Sequence, residues 1–137
     1  MTSPLPSRFW SDLTAADFAA LDGQRTIAVL PVAAIEQHGP HLPLSVDTDI
    51  VNGVVAAALP HIAPDLPALF LPTQAVGFSP EHTRFAGTLT LKAETLQAVV
   101  EVRQVDQAEV GLLMLFNPAG AIGDPLRRWQ ASARTPE

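Results

Sequence analysis

"TIAVLPVAAIEQHGPHLPLSVDTDI", residues 26–50, opens as a nearly continuous apolar run and closes in charge. Its first part, through Ile35, is rich in β-branched side chains and reads as a strand covered on both faces, as in a parallel sheet. Pro31 has no N–H to give a ladder, which predicts an edge position or a bulge there. Directly behind the strand, Glu36, Asp47 and Asp49 share fourteen residues with His38 and His41, in a chain of four histidines.

Glu36 and His38 stand two apart, so in extended backbone their side chains leave on one face. Gly39 permits a sharp reversal, and Pro40 and Pro43 stiffen the loop that can return Asp47 to the same place. A carboxylate, an imidazole and a second carboxylate form a ligand set for Zn²⁺ or Mn²⁺, and a carboxylate can bridge two ions roughly 3.5–4 Å apart. The plainer alternative makes Glu36 and Asp47 solvated loop charges or a helix cap, and the histidines satisfied polar groups. His41 faces away from His38 in extended backbone, which suits a group that orients the ligands. Asp49 suits an N-cap or first-turn charge. His61, beside Pro60, reads as structural.

Working outward, "SDLTAADFAALDG" predicts a short helix with Thr14 as N-cap and Gly23 beyond its end. From Thr48, Ile50/Val51, Val54/Val55 and Ala58/Leu59 recur every four residues, an amphipathic helix ending near Pro60. "ALFLPTQAVGF" (68–78) reads as a second buried strand, "KAETLQAVVEVRQVDQAE" (92–109) as a helix with Leu96, Val99 and Val100 on one side, and "VGLLMLF" (110–116) as a last buried strand. The tail from Asn117 reads as loop and frayed terminus. Alternating strands and helices imply an α/β sheet with ligand groups at the strand ends.

"GFSPEHTRFAG" (77–87) is the second chemistry-bearing stretch: Glu81 and His82 follow a buried strand, where α/β proteins place active-site groups, although an ordinary polar turn has the same composition. Arg84 can pair with a substrate anion or with Glu81. Phe78, Phe85 and Trp10 are candidates for a pocket wall or for core.

The composition bounds the rest. At 137 residues, 47% hydrophobic and 16% charged, the chain fits one globular domain, residues 1–137, with a surface sparse enough to suggest burial in an oligomer. A net charge of −6 and a pI near 5.0 argue against nucleic acid and anionic membranes as partners. The absence of cysteine excludes thiolate chemistry and Cys-type metal sites. With neither a signal-peptide pattern nor an apolar run of about eighteen residues, the expected location is cytoplasmic.

"LPVAAIEQHGPHLPLSVDTDI" (30–50), together with "GFSPEHTRFAGTLTL" (77–91), resembles the creatininase (creatinine amidohydrolase) family in order and spacing, and "RFWSDLTAADFAAL" (8–21) is similar to its N-terminal entry. The resemblance implies a three-layer α/β fold with a mainly parallel sheet, a binuclear zinc or manganese site, and hydrolysis of a C–N bond in a cyclic or linear amide by a metal-held hydroxide. By motif position Glu36 would bind one ion, His38 the other, and Asp47 would bridge both. Glu81 and His82 fall where the family's second loop approaches the pocket and are the candidate catalytic residues. A small-molecule amide substrate and a homo-oligomer are implied as well.

The match is good over residues 8–96; residues 97–137 diverge, as though part of the C-terminal half were internally deleted. Where the resemblance implies an Asn-Gly-His-Gly-Gly-Asn segment after the third strand, this chain has "PAGAIGDP", with Ala119 in place of the histidine. No histidine follows His82. Two functions therefore stand open. One is a metal-dependent amidohydrolase whose missing ligands come from Glu81, His82, Glu109 or another subunit. The other is a truncated, non-catalytic member that binds metal weakly or associates with a full-length relative.

Overall fold

The computed structural model describes residues 5–23, 25–100 and 111–116. Its centre is the apolar run quoted above, where β1 spans Ile27–Val32 and every residue from Ala28 to Val32 is buried. Burial without alternation means that both faces of the strand are covered, as the composition of the run requires.

Two parallel neighbours flank β1. On one side β2 (Ala68–Phe70) pairs Ile27–Val29, and on the other β3 (Gly111–Phe116) pairs the full length of β1, giving the order β2-β1-β3. Pro31 therefore lies in the central strand, which overturns the expectation of an edge. In a parallel ladder a residue's N–H and C=O point to the same neighbour. On the β2 side Val29 C=O accepts from Leu71 N–H and Pro31 C=O from Gln74 N–H. The segment Leu71–Thr73 detours between those two bonds, at the place where a residue-31 donor would have pointed. A cavity of about 220 Å³ lies there, lined by Phe9, Pro31, Val55 and Phe70 among others.

The outer edge of β2 is covered by the N-terminal segment. Phe70 N–H donates to Arg8 C=O (2.8 Å), while the Arg8 guanidinium donates to the carbonyls of Ala63 (2.8 Å) and Leu66. Next, α1 (Ala15–Ala19) begins at Thr14 in a full capping box: Thr14 Oγ1 accepts from Asp17 N–H, and the Asp17 carboxylate accepts from Thr14 N–H. The Thr14 hydroxyl and amide also hold the Asp17 carboxyl below its ordinary pKa. Trp10 packs on Phe18, with ring centroids 4.5 Å apart, and so belongs to this N-terminal unit.

The helix α2 (Val46–Ala58) starts two residues before the periodicity indicated and runs into a 3-10 turn at Leu59–His61. Its buried apolar residues, Val51 and Val55, are one turn apart, and Val55 joins Val29, Ala68 and Phe70 in the core, with Ile27, Leu59 and Ile62 packed against them. Ile50 and Val54, on the neighbouring face, are exposed. Further on, α3 covers Ala93–Val100, with Leu96 half-buried and Val99 exposed. The continuation of that helix to Glu109 and the loop from Asn117 lie outside the described residues. No helix among the described residues is long and apolar enough to cross a membrane.

Candidate metal centre

Beyond β1, Ile35 forms an isolated antiparallel bridge with Leu89, and two loops close on residues 35–37. Ile35 C=O accepts from Leu89 N–H (2.9 Å), while Glu36 N–H donates to Leu44 C=O (3.2 Å) and Gln37 N–H to Thr88 Oγ1 (3.2 Å). The loop from His38 reverses at Gly39, whose φ is +84°, and delivers Asp47 in the first turn of α2.

Glu36 and Asp47 are the buried carboxylates among the described residues, 9% and 3% exposed. Burying two carboxylates side by side is unfavourable without a positive partner. Together with His38 they form a group whose ligand atoms all lie within 4.8 Å of one another.

The histidine's two nitrogens have different partners. Nδ1 is 2.9 Å from the Glu36 carbonyl oxygen, which can only accept, so Nδ1 carries a proton. In the neutral ring Nε2 is then a bare lone pair, and it sits 3.2 Å from Asp47 Oδ1. A lone pair facing a carboxylate calls for a cation between them. Without metal that cation is a proton: the hydrogen bond to the Glu36 carbonyl first, then the charges of Asp47 and Glu36, raise the His38 pKa against the opposing effect of burial. Two donors bound to one tetrahedral zinc at its usual bond lengths lie about 3.3 Å apart, so the spacing suits an ion equally. The set offers three donor groups, the number a catalytic zinc site draws from protein, and an imidazole backed by a carbonyl is the usual arrangement of a metal-binding histidine.

The second loop reaches Glu36 from another direction. Gly77 lies so close to the exit of β1 that a Cβ there would stand 2.5 Å from the Ala33 carbonyl oxygen. Its C=O accepts from Leu91 N–H, and the Thr90 hydroxyl accepts from Ser79 N–H (2.9 Å). These contacts set a 3-10 turn, Pro80–His82, beside Glu36, with His82 Nε2 3.7 Å from Glu36 Oε1. Glu36, Glu81 and His82 form a second group with ligand atoms within 4.8 Å. Glu81 is exposed and His82 half-buried, with Nδ1 enclosed and without a hydrogen-bond partner; Phe85 lies beside the ring at 6.0 Å between centroids. Gly87, at φ +87°, brings the end of the loop onto Leu44, whose Cδ1 a Cβ would meet at 2.6 Å.

The expected residues thus gather: Glu36, His38 and Asp47 in one group, Glu81 and His82 joined to it through Glu36. His41 is exposed and belongs to neither group. Asp49 occupies the first turn of α2 and accepts from Ser45 Oγ (2.9 Å). His61 is exposed at the end of the turn after α2. Arg84 makes no ion pair with Glu81, and Phe78 and Phe85 are exposed. The supporting residues Leu44, Gly77, Thr88 and Thr90 do not stand out in the sequence, because they act through backbone or hydroxyl hydrogen bonds. The "GTLT" string at 87–90 is the signal that contains two of them.

Comparisons with known proteins bear on the family. The creatininase family (creatinine amidohydrolase) matches residues 11–134. The mycofactocin precursor peptide peptidase of Mycobacterium tuberculosis (strain CDC 1551 / Oshkosh) is 40% identical over 91 residues, 62% of this chain and 36% of the relative. The peptidase of the same description from Mycolicibacterium smegmatis is 38% identical over 76 residues, 54% of this chain and 31% of the relative. The chain thus spans about a third of the length of these curated relatives. Among solved structures, a mutant creatininase complexed with creatine superposes with a TM-score of 0.57 at 31% identity, covering 69% of this chain and 37% of the other. A mutant creatininase of Zn-Zn type gives 0.55 at 30% identity, with the same coverage. The chain belongs to the creatininase family.

Proposed function

We propose that this chain is a metal-dependent amidohydrolase acting on a C–N bond, its cation held by Glu36, His38 and Asp47. The observation that carries the reading is the His38 ring, with Nδ1 committed to a backbone carbonyl and Nε2 aimed at a buried carboxylate. A divalent cation at such a site, zinc or manganese by its ligand chemistry, supplies a Lewis acid and lowers the pKa of a bound water.

The protein's own groups do the rest. Asp47 and Glu36 carry the charge that holds the cation, and the Glu36 carbonyl fixes the His38 ring. His82 and Glu81, on the loop facing Glu36, are the groups we assign to proton transfer: His82 Nε2 accepts a proton from the attacking water and returns it to the leaving nitrogen, and the carboxylates of Glu36 and Glu81 are the charges near the imidazolium that forms between those events. Phe85, exposed beside His82, offers an apolar surface to the substrate's flank.

The substrate class is an amide, cyclic or within a peptide. The cyclic case follows the family; the peptide case follows the precursor-peptide peptidases of mycobacteria that the chain resembles. We read residues 1–137 as one creatininase-like unit that works as a homo-oligomer, which would cover exposed Ile50 and Val54. The test is metal-dependent hydrolysis of creatinine and of a panel of short peptides, with Asp47→Asn and His82→Gln beside the parent chain. Turnover restored by zinc or manganese and lost in both variants supports the reading; turnover that survives Asp47→Asn refutes it.

A second reading is a chain that binds metal without turnover and pairs with a full-length relative. The same apolar exposure on α2 favours it, together with a span of about a third of the relatives' length. Cleavage of none of these amides by metal-loaded protein, with turnover appearing only on addition of a longer relative, would select it.

A further inference from the structure

The cavity beside Pro31 shares no residue with either group of candidate metal ligands. We propose that it is a binding site for a small, neutral, largely apolar molecule that carries one hydrogen-bond acceptor, of the size of a benzene ring with a short hydroxylated substituent. The proposal does not depend on the metal reading.

The walls are fixed on three sides. Residues 71–73 are pinned at their ends, where Leu71 N–H donates to Val29 C=O (2.8 Å) and Gln74 N–H to Pro31 C=O (2.9 Å). The same segment is tied to α2, since Thr73 Oγ1 donates to Asn52 Oδ1 (2.7 Å). On the N-terminal side Phe9 follows Arg8, whose C=O accepts from Phe70 N–H (2.8 Å). Pro31 has no N–H with which to draw residues 71–73 inward. Protein interiors leave few spaces larger than a water molecule, so about 220 Å³ bounded by hydrogen-bonded segments is a preformed site. It lies by the carboxyl ends of β1 and β2, the edge at which open α/β sheets bind ligands.

The lining sets the chemistry of the ligand. Pro31, Val55 and Phe70 are buried and apolar. None of the lining residues is charged, so an ion placed there would lose hydration without gaining a counter-charge. Asn52 supplies the polar contact: its Oδ1 is engaged by Thr73, while Nδ2 donates to no group among the described residues. One donor on an apolar wall favours a neutral ligand with one acceptor. An apolar cavity of about 150 Å³ admits benzene, and the larger volume here leaves room for a substituent on the ring.

The test is an NMR titration of the full, ¹⁵N-labelled chain with benzyl alcohol, repeated with toluene and with benzoate. Saturable shifts are expected for amides in residues 52–56 and 70–73, with a dissociation constant on the order of a millimolar for benzyl alcohol. Asn52→Ala should weaken benzyl alcohol about two- to tenfold and leave toluene unchanged, and Ala56→Leu, which places a larger side chain in the wall, should abolish the binding of both. Benzoate should leave these amides unmoved. The proposal is overturned by shifts that do not saturate, by saturable shifts centred elsewhere, or by benzoate binding as tightly as the alcohol. Binding that survives Ala56→Leu in folded protein overturns it too, as does an Asn52→Ala variant that holds the alcohol as the parent does. Shifts at these residues that follow protein concentration and resist the probe would give the cavity to a side chain of a second copy instead.

Discussion

His38 and Asp47, nine residues apart in sequence, meet with Nε2 and Oδ1 at 3.2 Å because a loop reversing at Gly39 returns the chain to the end of β1. The hydrogen bond from Nδ1 to the Glu36 carbonyl fixes which face of the ring the carboxylate sees. Both contacts favour positive charge at Nε2.

In metal-stripped protein the His38 imidazole therefore titrates above its ordinary 6.5. A raised folded-state value means that protonated His38 contributes stability fully below the unfolded value, and that this contribution is lost as pH rises through the folded one. NMR titration of the ring should show the elevated midpoint, and Asp47→Asn should bring it down. A midpoint at or below the ordinary value in the parent chain contradicts the geometry.

Gly77 is the closest approach of the second loop to β1. Gly77→Ala forces a methyl toward the Ala33 carbonyl oxygen, where 2.5 Å separates them before relaxation. Overpacking against backbone should cost about 1–3 kcal/mol in urea unfolding, and the displaced loop should carry His82 away from Glu36. A variant as stable as the parent would show that the loop stands off.

Leu69 has no exposed surface in the middle of β2, whereas Ile50 on α2 is 45% exposed. Leu69→Ala should destabilise the fold by about 2–5 kcal/mol, and Ile50→Ala should change the isolated chain by no more than about 0.5 kcal/mol. A larger Ile50 effect that depends on protein concentration would show that a second copy covers this face.

Metal binding stabilises only the folded site. Free Zn²⁺ at a hundredfold excess over its dissociation constant should add about 2.7 kcal/mol to the parent chain, seen as a raised thermal midpoint that a chelator reverses. His38→Ala should lose that gain. An equal gain in the variant would place the ion elsewhere.

Much of this arrangement was legible in the sequence. The β-branched run from Ile27 dictates a strand covered on both faces, and the two-residue spacing of Glu36 and His38 puts both on one side of extended backbone. Asp47 was legible only through its loop, where Gly39 and two prolines restrict the path. Pro31 was misplaced because a strand-interior proline is usually excluded from a sheet centre, and the rule fails where the neighbouring segment detours past the missing N–H. The convergence of Glu81 and His82 on Glu36 was not readable from spacing at all. It depends on the closeness of Gly77 to Ala33 and on the Thr88 and Thr90 hydroxyls, contacts made across more than ten residues of chain.

The most direct test of the account is metal content per chain, by elemental analysis of protein purified without chelator, beside Asp47→Ala prepared the same way. The site described here predicts at least one equivalent of zinc or manganese in the parent chain and loss of most of it in the variant. A parent chain that stays metal-free after incubation with both ions, while retaining the fold, would contradict it.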